Sequence, residues 1–98
     1  MADVKIRDER HKIPKKRGNG QLRREAWADE NGNITKYNLA YINHQLYLGD
    51  NGRVVGFDNQ HGFHHRHFMG QTESIEFTSF EELENSFDQA WSLLHKEK

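Results

Sequence analysis

The stretch DENGNITKYNLAYI, residues 29–42, decides how this chain folds. Its first five residues, Asp29 to Asn33, are types that tolerate the positive φ of a tight hairpin, and the nine that follow alternate with the two-residue period of a strand. Thr35, Tyr37, Leu39 and Tyr41 fall on one face of that strand, while Ile34, Lys36, Asn38, Ala40 and Ile42 fall on the other. The first set is expected to face the core.

Working outward, residues 22–28 supply the strand before the turn. Asn43-His44 is expected to turn the chain again, residues 45–48 to form a short third strand, and Gly49-Asp50-Asn51-Gly52 to turn it into Arg53-Val54-Val55-Gly56-Phe57-Asp58. Residues 59–63 read as a loop, residues 64–69 can be extended, and residues 75–77 belong to a last strand. Turn signals at such short intervals indicate an antiparallel meander. Ser79 then opens the one clear helix: its hydroxyl can cap the first turn, with Glu82 three residues on to close a capping box. Phe80, Leu83, Phe87, Trp91 and Leu94 recur at spacings of three and four, so they form one helical stripe that should pack across the sheet. The expected fold is a single α+β domain, with an antiparallel sheet of about four or five strands and one C-terminal helix packed across it.

Ahead of this domain, residues 7–20 carry eight charged side chains and the only proline of the chain, and they end in Gly18-Asn19-Gly20. Residues 1–20 therefore read as a basic arm and residues 21–98 as the domain. Charge is divided unevenly: residues 1–36 hold ten Lys and Arg against six Asp and Glu, whereas residues 37–98 hold four against nine, for a net charge of −1. A basic arm can dock on phosphates or on an acidic partner. Lys12, Lys15, Lys16, Arg17, Arg23 and Arg24 are the candidate RNA contacts. With 98 residues the chain can build one core, and with no cysteine it can form neither disulfides nor thiolate zinc sites. No run approaches the roughly 18 apolar residues of a membrane span and no apolar signal region opens the chain, which points to the cytoplasm, with no membrane partner. A homodimer is compatible with so small a core.

Chemistry, where this chain has any, is expected at residues 61–67, where His61, His64, His65, Arg66 and His67 fall together. In an extended segment His65 and His67 project from one face about 6–7 Å apart, and Arg66 and His64 from the other. Two imidazoles can divide acid and base work near neutral pH without a metal. RNA cleavage fits that equipment: His65 and His67 as acid and base, Arg66 as phosphate contact, Asp58 orienting a ring, and His61 and His64 as further RNA contacts. The pattern calls for no cofactor, because His65-x-His67 lacks an unambiguous third and fourth ligand. Two other readings stay open: His61 or Asp58 could complete a three-ligand zinc site in a metal-dependent hydrolase, or the histidines could serve a non-enzymatic binding module. No Gly-x-x-x-x-Gly-Lys phosphate loop is present.

One more pattern runs through these residues. Arg53-Val54-Val55-Gly56-Phe57-Asp58-Asn59, then Gly62, then His65-Arg66-His67, then Ile75-Glu76-Phe77-Thr78-Ser79 leading into an amphipathic helix, resembles the TumE-like family of bacterial toxin–antitoxin proteins, over roughly residues 37–91. Gly56, Asp58, Asn59, Gly62, His65 and His67 are the matching motif positions. The resemblance implies a toxin whose partner is a cognate helix-turn-helix antitoxin that neutralises it and represses their operon. Together with the residue chemistry, it leads to the expectation of a type II toxin acting on RNA as a metal-independent ribonuclease.

Overall fold

The hairpin at residues 29–33 is built around Asp29, whose Oδ1 accepts the backbone N–H groups of Asn31 (2.9 Å) and Asn33 (3.0 Å), while Gly32 takes a φ of 85°. The computed structural model, which describes residues 3–59 and 62–94, extends this hairpin into a six-stranded antiparallel sheet in sequence order. The strands are β1 (Val4–Lys12), β2 (Gln21–Ala28), β3 (Ile34–Ile42), β4 (Arg53–Asp58), β5 (His65–Phe68) and β6 (Gln71–Ser74), followed by the helix α1 (Phe80–Leu93). An open antiparallel sheet with one C-terminal helix against it is the expected α+β architecture.

Six strands replace the expected four or five because residues read as a basic arm supply one. β1 pairs with β2 from Val4↔Ala28 to Lys12↔Gln21, with one bulge at Ile6. An edge strand can be this polar because its main-chain bonds hold it, and alternating charges discourage edge-to-edge pairing. Residues 45–48 form no strand. There the Asn43 side chain accepts the Gln45 N–H (2.9 Å) and its carbonyl accepts those of Leu46 and Tyr47, which winds the chain into turns. The last strand ends at Ser74, ahead of the expected residues 75–77, because Met69 and Gly70, with φ of 45° and 85°, make a two-residue turn that pairs Phe68 with Gln71.

α1 begins where expected: Ser79 Oγ accepts the Glu82 N–H at 3.1 Å. The Glu82 carboxylate takes the Thr78 hydroxyl at 3.0 Å instead of closing the box on Ser79. Leu83 and Phe87 are buried, and Phe80, Ala90, Trp91 and Leu94 pack partly buried around them. They meet Tyr37, Leu39, Tyr41, Val54, Val55 and Phe57, with Phe87 edge-on to Phe57 and Trp91 tilted on Tyr41. Thr35, expected on this face, is exposed beyond the core, where its hydroxyl donates to Asp3 Oδ2 at 2.7 Å. Ion pairs clamp the helix to the sheet's first strands: Arg7–Glu84 at 2.7 Å and Arg24–Asp88 at 2.6 Å.

Candidate functional site

Because side chains alternate across a strand, burying Tyr41, Leu39, Val55 and Phe57 under α1 commits their sequence neighbours to the opposite face of the sheet. Strand registers arrange that face in rows. One row runs Asp8, Glu25, Asn38, Asp58, His65, Ser74; the next runs Arg10, Arg23, Ala40, Gly56, His67, Thr72; a third runs Lys12, Gln21, Ile42, Arg53. Asp58, His65 and His67 therefore meet across β4 and β5, as strand alternation implies. Arg53 joins them through a bulge. The β3–β4 register skips Val54, so that Val54 and Val55 both point into the core and Arg53 changes sides to lie on the face of Gly56 and Asp58.

The centre of the group is Asp58, 5% exposed. Its Oδ2 lies 3.0 Å from His67 Nε2 and accepts from the Arg53 guanidinium at 3.2 Å, and its Oδ1 lies 3.7 Å from His65 Nδ1. Arg53 also donates from Nε to Asp50 at 2.8 Å. His67 Nε2 is closed off from solvent, and its approach to Asp58 is off the axis of a hydrogen bond. The other ring nitrogen of His67, Nδ1, shares a 3.3 Å contact with the Thr72 hydroxyl. The two imidazole centroids are 6.0 Å apart. Burial holds the His67 pKa below its ordinary value, helped by the positive charge of Arg53 and opposed by Asp58 and Asp50. One carboxylate thus lies beside two imidazoles, facing His67 Nε2 and His65 Nδ1 and leaving His65 Nε2 and His67 Nδ1 turned away from it. Asp58, His65 and His67 each also offer a ligand atom, all within 4.8 Å of one another, so these are the residues that could hold a metal ion.

Next to the group lies a trough of about 230 Å³ lined by the small Ala40 together with Arg23, Asn38, Ile42, Asp50, Asn51 and Arg53. Arg23 stands on its rim, paired with Glu25 at 3.1 Å.

Not every expected site residue reaches this face. Arg66 points to the helix side, where it pairs with Glu73 at 3.2 Å and lies over the Phe68 ring, so the arginine beside the histidines is Arg53. His64 packs against the core, stacked on Phe77 with ring centroids 4.5 Å apart, and its Nδ1 shares a 2.8 Å hydrogen bond with the Tyr37 hydroxyl. Arg24 is taken by Asp88 and Glu84 of α1. Lys12 ends β1 on the site face, and Lys15, Lys16 and Arg17 form an exposed 3-10 turn after it. His61 lies outside the described residues. Sequence reasoning missed Arg53, whose strand phase is changed by the bulge, and Phe63, an exposed ring 6.0 Å from that of His65.

Comparison with known proteins adds one finding. A family model described as Toxin TumE matches residues 8–97. No curated protein and no solved structure matches the chain. Since the matched span takes in Asp58, Arg53, both histidines and the whole of α1, the chain belongs to the TumE toxin family, and a toxin of this kind implies an antitoxin as its partner.

Proposed function

We propose that this toxin arrests growth by cutting RNA, with Asp58, His65, His67 and Arg53 as the working group. The observation that carries the reading is the single buried carboxylate backing two imidazoles on the sheet face that α1 leaves uncovered. In the reaction, one imidazole accepts the 2′-hydroxyl proton as O2′ attacks phosphorus, and the other donates a proton to the departing 5′-oxygen, giving a 2′,3′-cyclic phosphate and a 5′-hydroxyl. Asp58 holds the rings and stabilises whichever is positively charged. Arg53 lies beside the same group and would meet the charge developing on the phosphoryl oxygens, the role that adjacency in sequence to the two histidines suggests for Arg66. The exposed Phe63 ring offers a stacking surface for a base.

Arg10, Lys12 and Arg23 lead along the rows toward the trough, and Lys15, Lys16 and Arg17 extend the positive charge beyond it, a path suited to an RNA backbone in the bacterial cytoplasm. Among the described residues no helix is long and apolar enough to cross a membrane. A helix-turn-helix antitoxin that covered this path would silence the toxin.

The test is cleavage of RNA by purified protein in EDTA, paired with growth after induced expression. Wild type should cleave and arrest growth, and His65→Ala and His67→Ala should each lose about 10²–10⁴ in rate while remaining folded. Cleavage that survives both substitutions would remove the histidines from the mechanism, and a wild type that binds RNA or antitoxin without cutting would make this a binding module.

A further inference from the structure

The three residues that hold each other in the working group also form a donor set for a metal. Asp58, His65 and His67 offer one carboxylate oxygen and two imidazole nitrogens whose ligating atoms lie within 4.8 Å of one another. A tetrahedral zinc ion with bonds of about 2.0–2.2 Å needs its donors roughly 3.2–3.6 Å apart, so closing the set around an ion asks for shifts of about an ångström. His67 Nε2 already sits 3.0 Å from Asp58 Oδ2 and has no hydrogen-bond partner, and His65 Nδ1 is 3.7 Å from Oδ1. The donors stand on adjacent strands of one sheet, with Asp58 directly opposite His65 and Gly56 opposite His67, so the backbone sets their spacing.

We propose that Asp58, His65 and His67 bind a borderline divalent ion of the Zn²⁺ class, and that the ion silences the toxin by occupying the atoms on which its two imidazoles are held. Two nitrogens and one oxygen favour zinc over magnesium, which prefers six oxygens. An ion on His67 Nε2 and His65 Nδ1 leaves the outward nitrogens, His67 Nδ1 and His65 Nε2, carrying protons, so neither ring can act as the base. Arg53 works against the ion, since its guanidinium is 3.2 Å from the Asp58 oxygen that the ion would share. The silencing rests on the proposed cleavage mechanism; the binding does not.

The experiment therefore measures binding first and without RNA. Calorimetric titration of the full chain with zinc chloride alone should give one saturable site per chain, with no comparable site for magnesium chloride. His65→Ala and Asp58→Asn should each weaken binding more than tenfold; His65 is only half-buried, so its variant keeps the fold and the result readable. His44→Ala, at a ring lying against Gly52 outside the group, should bind as wild type does. Arg53→Gln should tighten binding severalfold, an effect that a merely structural role for Arg53 would not produce. No saturable zinc binding by wild type, or binding that persists in both His65→Ala and Asp58→Asn, overturns the site. Where the site is found, cleavage in EDTA should be lost on adding zinc in excess of the chelator and restored by further EDTA. Zinc that raises cleavage would overturn the silencing while leaving the site, and a chain that cuts no RNA at all fails the cleavage reading while the titration still decides the metal site.

Discussion

Gly56 lacks a side chain where the Arg53 stem crosses toward Asp58: a Cβ at Gly56 would lie 2.6 Å from Arg53 Cδ and 3.2 Å from the Leu39 carbonyl oxygen. Its backbone is ordinary extended strand, so what the position requires is space and not a glycine conformation. Gly56→Ala should therefore push Arg53 off Asp58 while β4 stays paired. We expect a stability loss of about 1 kcal/mol, as for mild overpacking, and a larger loss of RNA-cleaving rate, roughly 10-fold or more. Urea midpoints and single-turnover rates on the same preparation check it; a variant that loses stability but keeps its rate would show that Arg53 need not reach Asp58.

The two arginines near the histidines should behave oppositely. Arg53→Gln removes the cation beside Asp58 and should cost about 10²-fold in rate. Arg66→Gln removes a half-exposed pair with Glu73 on the far side of the sheet, and should leave the rate unchanged and stability within about 0.5 kcal/mol. The reverse result would return the phosphate contact to Arg66.

This exchange of arginines marks where the sequence could be read and where it could not. Asp58, His65 and His67 were legible because strand alternation and pairing place them on one face once Phe57 is assigned to the core. Arg53 was hidden because one skipped residue, Val54, changes the phase of β4, and nothing in Arg-Val-Val-Gly announces a bulge. The limits of β3, β4 and α1 came from strong alternation, a Gly-rich turn and a capping serine. β1 was missed because its nine residues carry no apolar face; its place depends on main-chain pairing with β2 and on Arg7 reaching Glu84 of the helix, both long-range.

α1 depends on few deeply buried side chains, which makes its packing testable. Leu83 and Phe87 are its only fully buried apolar residues, so Leu83→Ala should cost about 2–5 kcal/mol and Phe87→Ala about 3–5 kcal/mol. Leu93→Ala, on an exposed side chain of the same helix, should cost less than about 1 kcal/mol. Equal small shifts in denaturant midpoint for all three would mean that α1 does not close the core.

Tyr37 should contribute to the loss of stability at alkaline pH. Burial first, and then the charge of Asp58, pushes its phenol from 10.0 up to about 12. An unfolded tyrosine ionises near 10, so the stability that Tyr37 contributes is complete below that pH and is lost as pH rises from about 10 to 12. Tyr37→Phe should be less stable near neutrality by about 1 kcal/mol, because His64 Nδ1 loses its partner. It should also decline less steeply than wild type between pH 10 and 12. Parallel decline in the two proteins would show that another group governs alkaline unfolding.

The basic path is best tested through salt, because a bound phosphate is recognised by the counterions it releases. Lys12 lies in the row of Arg53 three strands away, about 15 Å at the usual strand spacing, and Lys15, Lys16 and Arg17 follow it at the exposed end of the sheet. An RNA strand engaging both the trough and these side chains would pass several phosphates along the way. Replacing Lys12, Lys15, Lys16 and Arg17 by Gln should then weaken RNA binding uniformly across sequences. It should also flatten the plot of log affinity against log salt by about 0.7 for each phosphate of single-stranded RNA that is no longer neutralised. The same change should leave the rate of bound RNA unaltered, since none of the four belongs to the Asp58 group. A salt slope equal to that of wild type would take this end of the sheet out of RNA binding; a normal slope accompanied by weakened antitoxin binding would assign its charge to the protein partner.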